Sequence, residues 1–168
     1  KNGIEREINV GTTNLQQLNE QSLSASVCGL RDGDARAAYK SLDLDIRNYG
    51  KLKMFVHAES SNGATPVQDG EVTAFIRLGS DFTNNYYEYE IPLVITPDGE
   101  YSNSSNSARE QVWPEENNIE IDFDVLQAAK TSRNRAAIAN PEDVTTSTRY
   151  AYADGRATVY VVGNPNLN

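Results

Sequence analysis

Phe75-Ile-Arg-Leu-Gly-Ser-Asp-Phe-Thr-Asn-Asn-Tyr-Tyr-Glu-Tyr-Glu-Ile-Pro-Leu93 reads as two strands joined by a polar turn. Val72, Ala74, Ile76 and Leu78 alternate with Thr73, Phe75 and Arg77, the period-two pattern of a strand whose two faces meet different surroundings. Gly79-Ser-Asp and Thr83-Asn-Asn carry turn chemistry, because Gly tolerates positive φ and Asn or Asp side chains bond their own backbone. Tyr86 to Ile95 is aromatic and β-branched apart from its glutamates and one proline, which predicts a strand near a sheet edge. No group in the stretch is placed for chemistry. It is architecture.

Further strands are predicted on either side. In Ser22–Leu30, Leu23, Ala25 and Val27 alternate with serines and Cys28, and Asp32-Gly-Asp34 marks a turn before a strand beginning over Ala35–Lys40. Leu42–Tyr49 alternates too, and Gly50 separates it from a strand over Lys51–Glu59. Ser60–Gly70 and Pro97–Ser107 read as exposed loops, the second expected to be mobile. Asp122–Asn134 is the best helix, with Phe123, Leu126 and Lys130 at helical spacing, acidic residues at its start and Arg133 near its end. Arg149–Tyr152 and Arg156–Val162 flank Asp154-Gly155, a two-residue hairpin signal. Residues 1–21 read as a loosely structured arm with a helical turn around Leu15 and Leu18. About six to eight strands with long loops and one short helix predict a single domain over residues 1–168. Its expected fold is mainly β, a jelly-roll or galactose-binding-like β-sandwich, with an immunoglobulin-like sandwich as the alternative.

The 168 residues suffice for one substantial core. A net charge of −9 and a pI near 4.6 exclude a nucleic-acid surface, which needs clustered cations. Cys28 is the only cysteine, so no intrachain disulfide forms, and its apolar context predicts a small buried hydrophobe. No apolar run approaches the ~18 residues of a membrane-spanning helix.

Within Lys51–Glu59, Leu52, Met54, Val56 and Ala58 are expected to face the core, and Phe55, His57 and Glu59 the other side. If the Val72–Leu78 strand packs alongside, Phe75 and Arg77 join that second face as a small-molecule or carbohydrate platform. The plainer reading is a solvated face with a Glu59–Arg77 surface ion pair. Alternation separates Tyr87 and Tyr89 from Tyr86 and Glu88, leaving one set for the core and the other for a partner. Trp113, before Pro114, is expected to anchor a loop. His57 is the only histidine; alone it makes no zinc site, and no Gly-x-Ser-x-Gly elbow supports a hydrolytic triad. Asp43 with Asp45, or the Asp32-Gly-Asp34 turn, could bind Ca²⁺ with loop carbonyls, although a solvated acidic face accounts for both. No catalytic, metal or cofactor residue is therefore assigned. Phe55, His57, Glu59, Phe75, Arg77, Tyr86 and Trp113 constitute the expected partner or ligand face.

Several longer phrases carry a family resemblance: Thr12-Thr-Asn-Leu-Gln-Gln-Leu-Asn-Glu-Gln-Ser-Leu23, Gly33-Asp-Ala-Arg-Ala-Ala-Tyr-Lys40 and Tyr49-Gly-Lys-Leu-Lys-Met-Phe-Val-His-Ala-Glu59. The Phe75–Leu93 stretch, Val112-Trp-Pro-Glu-Glu-Asn117 and Gly163-Asn-Pro-Asn-Leu167 continue the set in order. Together they resemble the SprA/Sov family, giant outer-membrane proteins of Bacteroidetes that form the translocon of type IX secretion and serve gliding motility. The resemblance implies a non-enzymatic piece of a much longer outer-membrane polypeptide, itself soluble, on the extracellular or periplasmic side. Its implied role is structural or docking, with other secretion subunits or exported cargo as partners. An independent carbohydrate-binding module is the alternative.

Overall fold

The computed structural model describes residues 22–42, 45–60, 66–102 and 104–166. Six strands and two α-helices follow one another as β1 (Lys51–Phe55), β2 (Thr73–Gly79), β3 (Tyr86–Pro92), α1 (Asn106–Val112), β4 (Asn118–Asp122), α2 (Phe123–Ala139), β5 (Tyr150–Asp154) and β6 (Ala157–Val162). They form a four-stranded antiparallel sheet in the order β2-β3-β6-β5 and a two-stranded antiparallel ribbon, β1-β4.

The sheet grows from its two hairpins. In the β2–β3 turn the Asp81 carboxylate gathers the backbone N–H groups of Thr83, Asn84 and Asn85 at 2.9, 2.5 and 3.1 Å. It also accepts from the Asn85 side chain at 2.8 Å, and these bonds hold its pKa well below the usual carboxylate range. Gly79 leaves the hairpin so close to its partner strand that a Cβ there would lie 2.2 Å from the Asn85 carbonyl oxygen. In the second hairpin Asp154 pairs with Ala157, so the two-residue turn is Gly155-Arg156, one position later than the Asp-Gly signal.

One face of the sheet carries Ala74, Ile76 and Leu78 on β2, Tyr87, Tyr89 and Ile91 on β3, and Ala157, Val159 and Val161 on β6. Against it pack Ile119 and Ile121 of β4 and Phe123, Leu126 and Ala129 of α2. Burying each large aliphatic side chain here stabilises the fold by about 1.5–3 kcal/mol. Helix α2 begins where predicted, with the Asp122 carboxylate accepting from the Asp124 N–H at 3.2 Å as N-cap. It runs on to Ala139, so Arg133 is an interior residue, buried, rather than a C-terminal cation. Its guanidinium donates to the Gly163 carbonyl at 2.8 Å, and Lys130 donates to the Pro165 carbonyl at 2.9 Å. Two cations of α2 thus hold the chain after β6. Burial, with Arg133 nearby, lowers the Lys130 pKa.

The antiparallel, β-rich reading holds, and the finer one needs correction. A helix and a ribbon, not a second broad sheet, cover the four-stranded sheet, so the described residues form a mixed α/β layer rather than a closed jelly-roll or immunoglobulin-like sandwich. Ser22–Leu30 and Ala35–Lys40 form no strand; both are exposed, and Cys28 is exposed with them, because no strand among the described residues pairs with this segment. Residues Ile46–Asn48 make a 3-10 turn where a strand was expected. Strand β3 is central rather than near an edge: its pairing with β6 stops at Glu90, before Pro92 would have to donate. Met54 is exposed, not core, because β1 sits at the rim of the ribbon. The predicted arm at residues 1–21, its helical turn around Leu15 and Leu18, and Asp43 lie outside the described residues.

Candidate functional site

The seven predicted face residues fall into two separate groups, because β1 pairs with β4 and β2 with β3. Phe55, His57, Glu59 and Trp113 stand together at the ribbon. Phe75, Arg77 and Tyr86 stand on the sheet face that points away from α2.

At the ribbon, His57 Nδ1 lies 2.8 Å from the Val112 carbonyl, and its ring sits against Trp113 at 5.4 Å between centroids. Phe55, 69% exposed, meets Trp113 edge-on at 6.5 Å. His57 Nε2 reaches Glu59 at 3.4 Å, and Thr96 Oγ1 lies 3.3 Å from Nδ1. Thr, His and Glu in this order invite comparison with a hydrolytic triad, and the hydrogen bonds exclude it. A carbonyl oxygen can only accept, so Nδ1 must carry the proton and cannot take one from Thr96. The Thr96 hydroxyl is itself aimed at the Gln111 and Val112 carbonyls. His57 therefore pins the end of α1 to the continuation of β1, and Trp113 is the anchor its neighbour Pro114 suggested.

The predicted Glu59–Arg77 ion pair gives way to another: Glu59 lies beyond the end of β1, bridged to Thr96, and Arg77 pairs with Glu88, directly opposite on β3. Glu88 Oε2 accepts from Arg77 Nε at 2.8 Å and Nη2 at 2.5 Å, while Oε1 accepts from Arg149 Nη2 at 2.5 Å. Arg149 also reaches Glu90 at 3.2 Å, and Arg77 donates to the Phe82 carbonyl. Both guanidinium groups lie on aromatic rings: Arg77 is 3.9 Å from the Tyr86 centroid and 5.5 Å from Phe75, and Arg149 is 3.2 Å from Tyr160. Two arginines laid over the sheet thus leave Glu88 only 2% exposed on a face that no helix or strand covers among the described residues. Sequence reasoning named Phe75, Arg77 and Tyr86, which the structure brings together, but not Arg149, Glu88 and Tyr160, which contact them or one another there. Only strand order places Tyr160 opposite Glu88.

The outer face of the ribbon carries a second ionic group. Glu120 accepts from Lys51 at 2.7 Å and Lys53 at 2.9 Å, which lowers its pKa from an ordinary 4.5 to about 2. A lowered carboxylate pKa contributes stability that is present above 4.5 and is lost as pH falls through about 2. Carboxyl-detected NMR titration is expected to place the Glu120 midpoint near 2 and to move it upward, toward 4.5, in a Lys51→Ala, Lys53→Ala double variant. An unshifted midpoint near 4.5 in the parent chain would show the lysines free in solution.

Among the described residues no cluster of His, Cys, Asp or Glu is placed to hold a metal ion, and no helix is long and apolar enough to cross a membrane. The arrangement is a β-sheet module with an arginine–aromatic face. Residues 1–168 match the family model SprA_N, described as motility related/secretion protein, and the chain belongs to that family. It is a module of a SprA-like protein of secretion and gliding motility. A comparison with curated proteins returned no match.

Proposed function

We propose that residues 1–168 act as one docking domain of an outer-membrane type IX translocon, and that the uncovered face of the four-stranded sheet receives another secretion subunit or a passing cargo protein. The observation that carries this reading is the composition of that face. Phe75, Arg77, Arg149 and Tyr160 belong to the residue types that dominate interface energetics, and here Glu88 sets both arginines in place before any partner arrives, with Tyr86 buried beneath Arg77. Prearranged side chains lose less entropy on docking. The ribbon group of Phe55, His57, Glu59 and Trp113 offers a second contact. The domain would stand on the extracellular or periplasmic side of the membrane. A carbohydrate-binding role is less well supported: the Arg77 guanidinium covers the Tyr86 ring, and Phe55 and Trp113 meet at 83° instead of forming a flat platform.

The test is a Phe75→Ser, Tyr160→Ser double variant in the full-length protein, with thermal melting of the isolated domain as the folding control. Loss of two anchors is expected to remove about 2 kcal/mol or more of docking energy, roughly thirtyfold in affinity. Secretion and gliding should fall accordingly while the domain still melts cooperatively. Normal secretion from the variant would contradict the proposal, and glycan binding by the parent chain would favour the carbohydrate reading.

A further inference from the structure

The ribbon has an edge that no strand among the described residues pairs with, and the same chain carries a segment with a strand's alternation that forms none. Gly50 accepts from Phe123 and Asn117 accepts from Val56, so Leu52–Ile121 and Met54–Ile119 are the hydrogen-bonded pairs between β1 and β4. The backbone groups of Lys51, Lys53 and Phe55 consequently face away from β4, toward no third strand among the described residues. Lysines usually guard such an edge. Here both ammonium groups are drawn back onto Glu120, and exposed Met54 and Phe55 offer apolar contact on the two faces of the strand.

Ser22–Leu30 has the chemistry to fill that edge. It is uncharged, so it brings no cation against Lys51 and Lys53, and Leu23, Ala25 and Val27 alternate with small residues as an added strand requires. All of its residues are exposed, Leu23 to 80%, and none sits in a helix or strand. Pairing of β1 with β1 of another copy is disfavoured, because an antiparallel match centred on Lys53 sets the two lysines against each other.

We propose that Ser22–Leu30 of one copy adds as a strand to the free edge of β1 in a second copy, joining two chains. This goes beyond the docking role of the sheet face and stands independently of it.

Sedimentation velocity of the full chain is expected to show concentration-dependent dimers. Lys53→Pro removes an outward N–H that the ribbon does not use, and Val27→Asp charges the donor segment at a half-exposed residue. Each should weaken association at least about tenfold, with circular dichroism unchanged for Val27→Asp in particular. Joining Cys28 to a cysteine introduced by Lys53→Cys should give a disulfide-linked dimer absent from the single-cysteine parent and from a Cys28→Ser, Lys53→Cys control. A purely monomeric chain, a dimer indifferent to Val27→Asp, or a Cys28 link formed only within one chain would each overturn the proposal.

Discussion

Replacing Gly163 with alanine is expected to destabilise the domain by about 2–5 kcal/mol. Gly163 adopts φ +68, in the left-handed region that side-chain-bearing residues enter at a cost. Space is the larger obstacle: a Cβ at Gly163 would lie 1.8 Å from the Asn84 carbonyl oxygen, a backbone atom that cannot swing aside. The collision would push apart two segments that are held together by design. The Asn164 N–H donates to Asn85 at 2.9 Å, the Gly163 N–H donates to the Thr146 carbonyl at 2.7 Å, and Arg133 holds the Gly163 carbonyl. The Asp81 turn, the end of β6 and helix α2 therefore meet at this residue. Urea unfolding of Gly163→Ala measures the loss. A change below about 0.5 kcal/mol, the size of an ordinary surface substitution, would mean that the turn and the β6 end are not in contact.

Glu88→Leu is the second large effect, an expected loss of about 1–3 kcal/mol, the range for removing one partner of buried hydrogen bonds when the groups left behind keep some access to water. Glu88 is the one carboxylate shared by Arg77 and Arg149, and it is almost wholly buried beneath them. Without it, two guanidinium groups remain over the sheet with only Glu90, its side chain 23% exposed, to answer Arg149. Arg149→Ala should cost less, since that side chain is 45% exposed and an exposed partner is replaced in part by water. The ordering is the informative result: Glu88→Leu more damaging than Arg149→Ala, with the Arg77→Ala, Glu88→Leu double variant less damaging than the two single losses added together. Strict additivity would show that the arginines do not share Glu88.

Much of the fold is legible in local signals. Alternation around Gly79-Ser-Asp specifies the β2–β3 hairpin, Asp154-Gly155 announces the β5–β6 hairpin, and Asp122 before Phe123 marks the start of α2. Strand β4 carries a signal of its own, Ile119 and Ile121 on one side, but its last residue is also the N-cap of α2, so the helical pattern masks it. Alternation in Ser22–Leu30 is equally clear and yields no strand in this chain, because a strand needs an edge to pair with and no single segment encodes that partner. The candidate site divides in the same way. Phe75 and Arg77 share a face by period two alone, whereas the identity of the anion beside Arg77 depends on register, which sets Glu88 opposite it, while Glu59 bridges to Thr96 beyond the end of β1. Arg149 reads as the first residue of a strand, and only the order β3-β6-β5 brings it over Glu88 and Tyr160.

Site-specific photo-crosslinking in secreting cells tests the docking proposal most directly. A photoreactive phenylalanine would replace Phe75 on the uncovered sheet face in the full-length protein, with Ile138, 84% exposed on α2, as the comparison position. The account predicts discrete adducts from position 75 with another secretion subunit or an exported cargo protein, and none of them from position 138. Equal yields from both positions, or no adduct from position 75 while secretion proceeds, would contradict it.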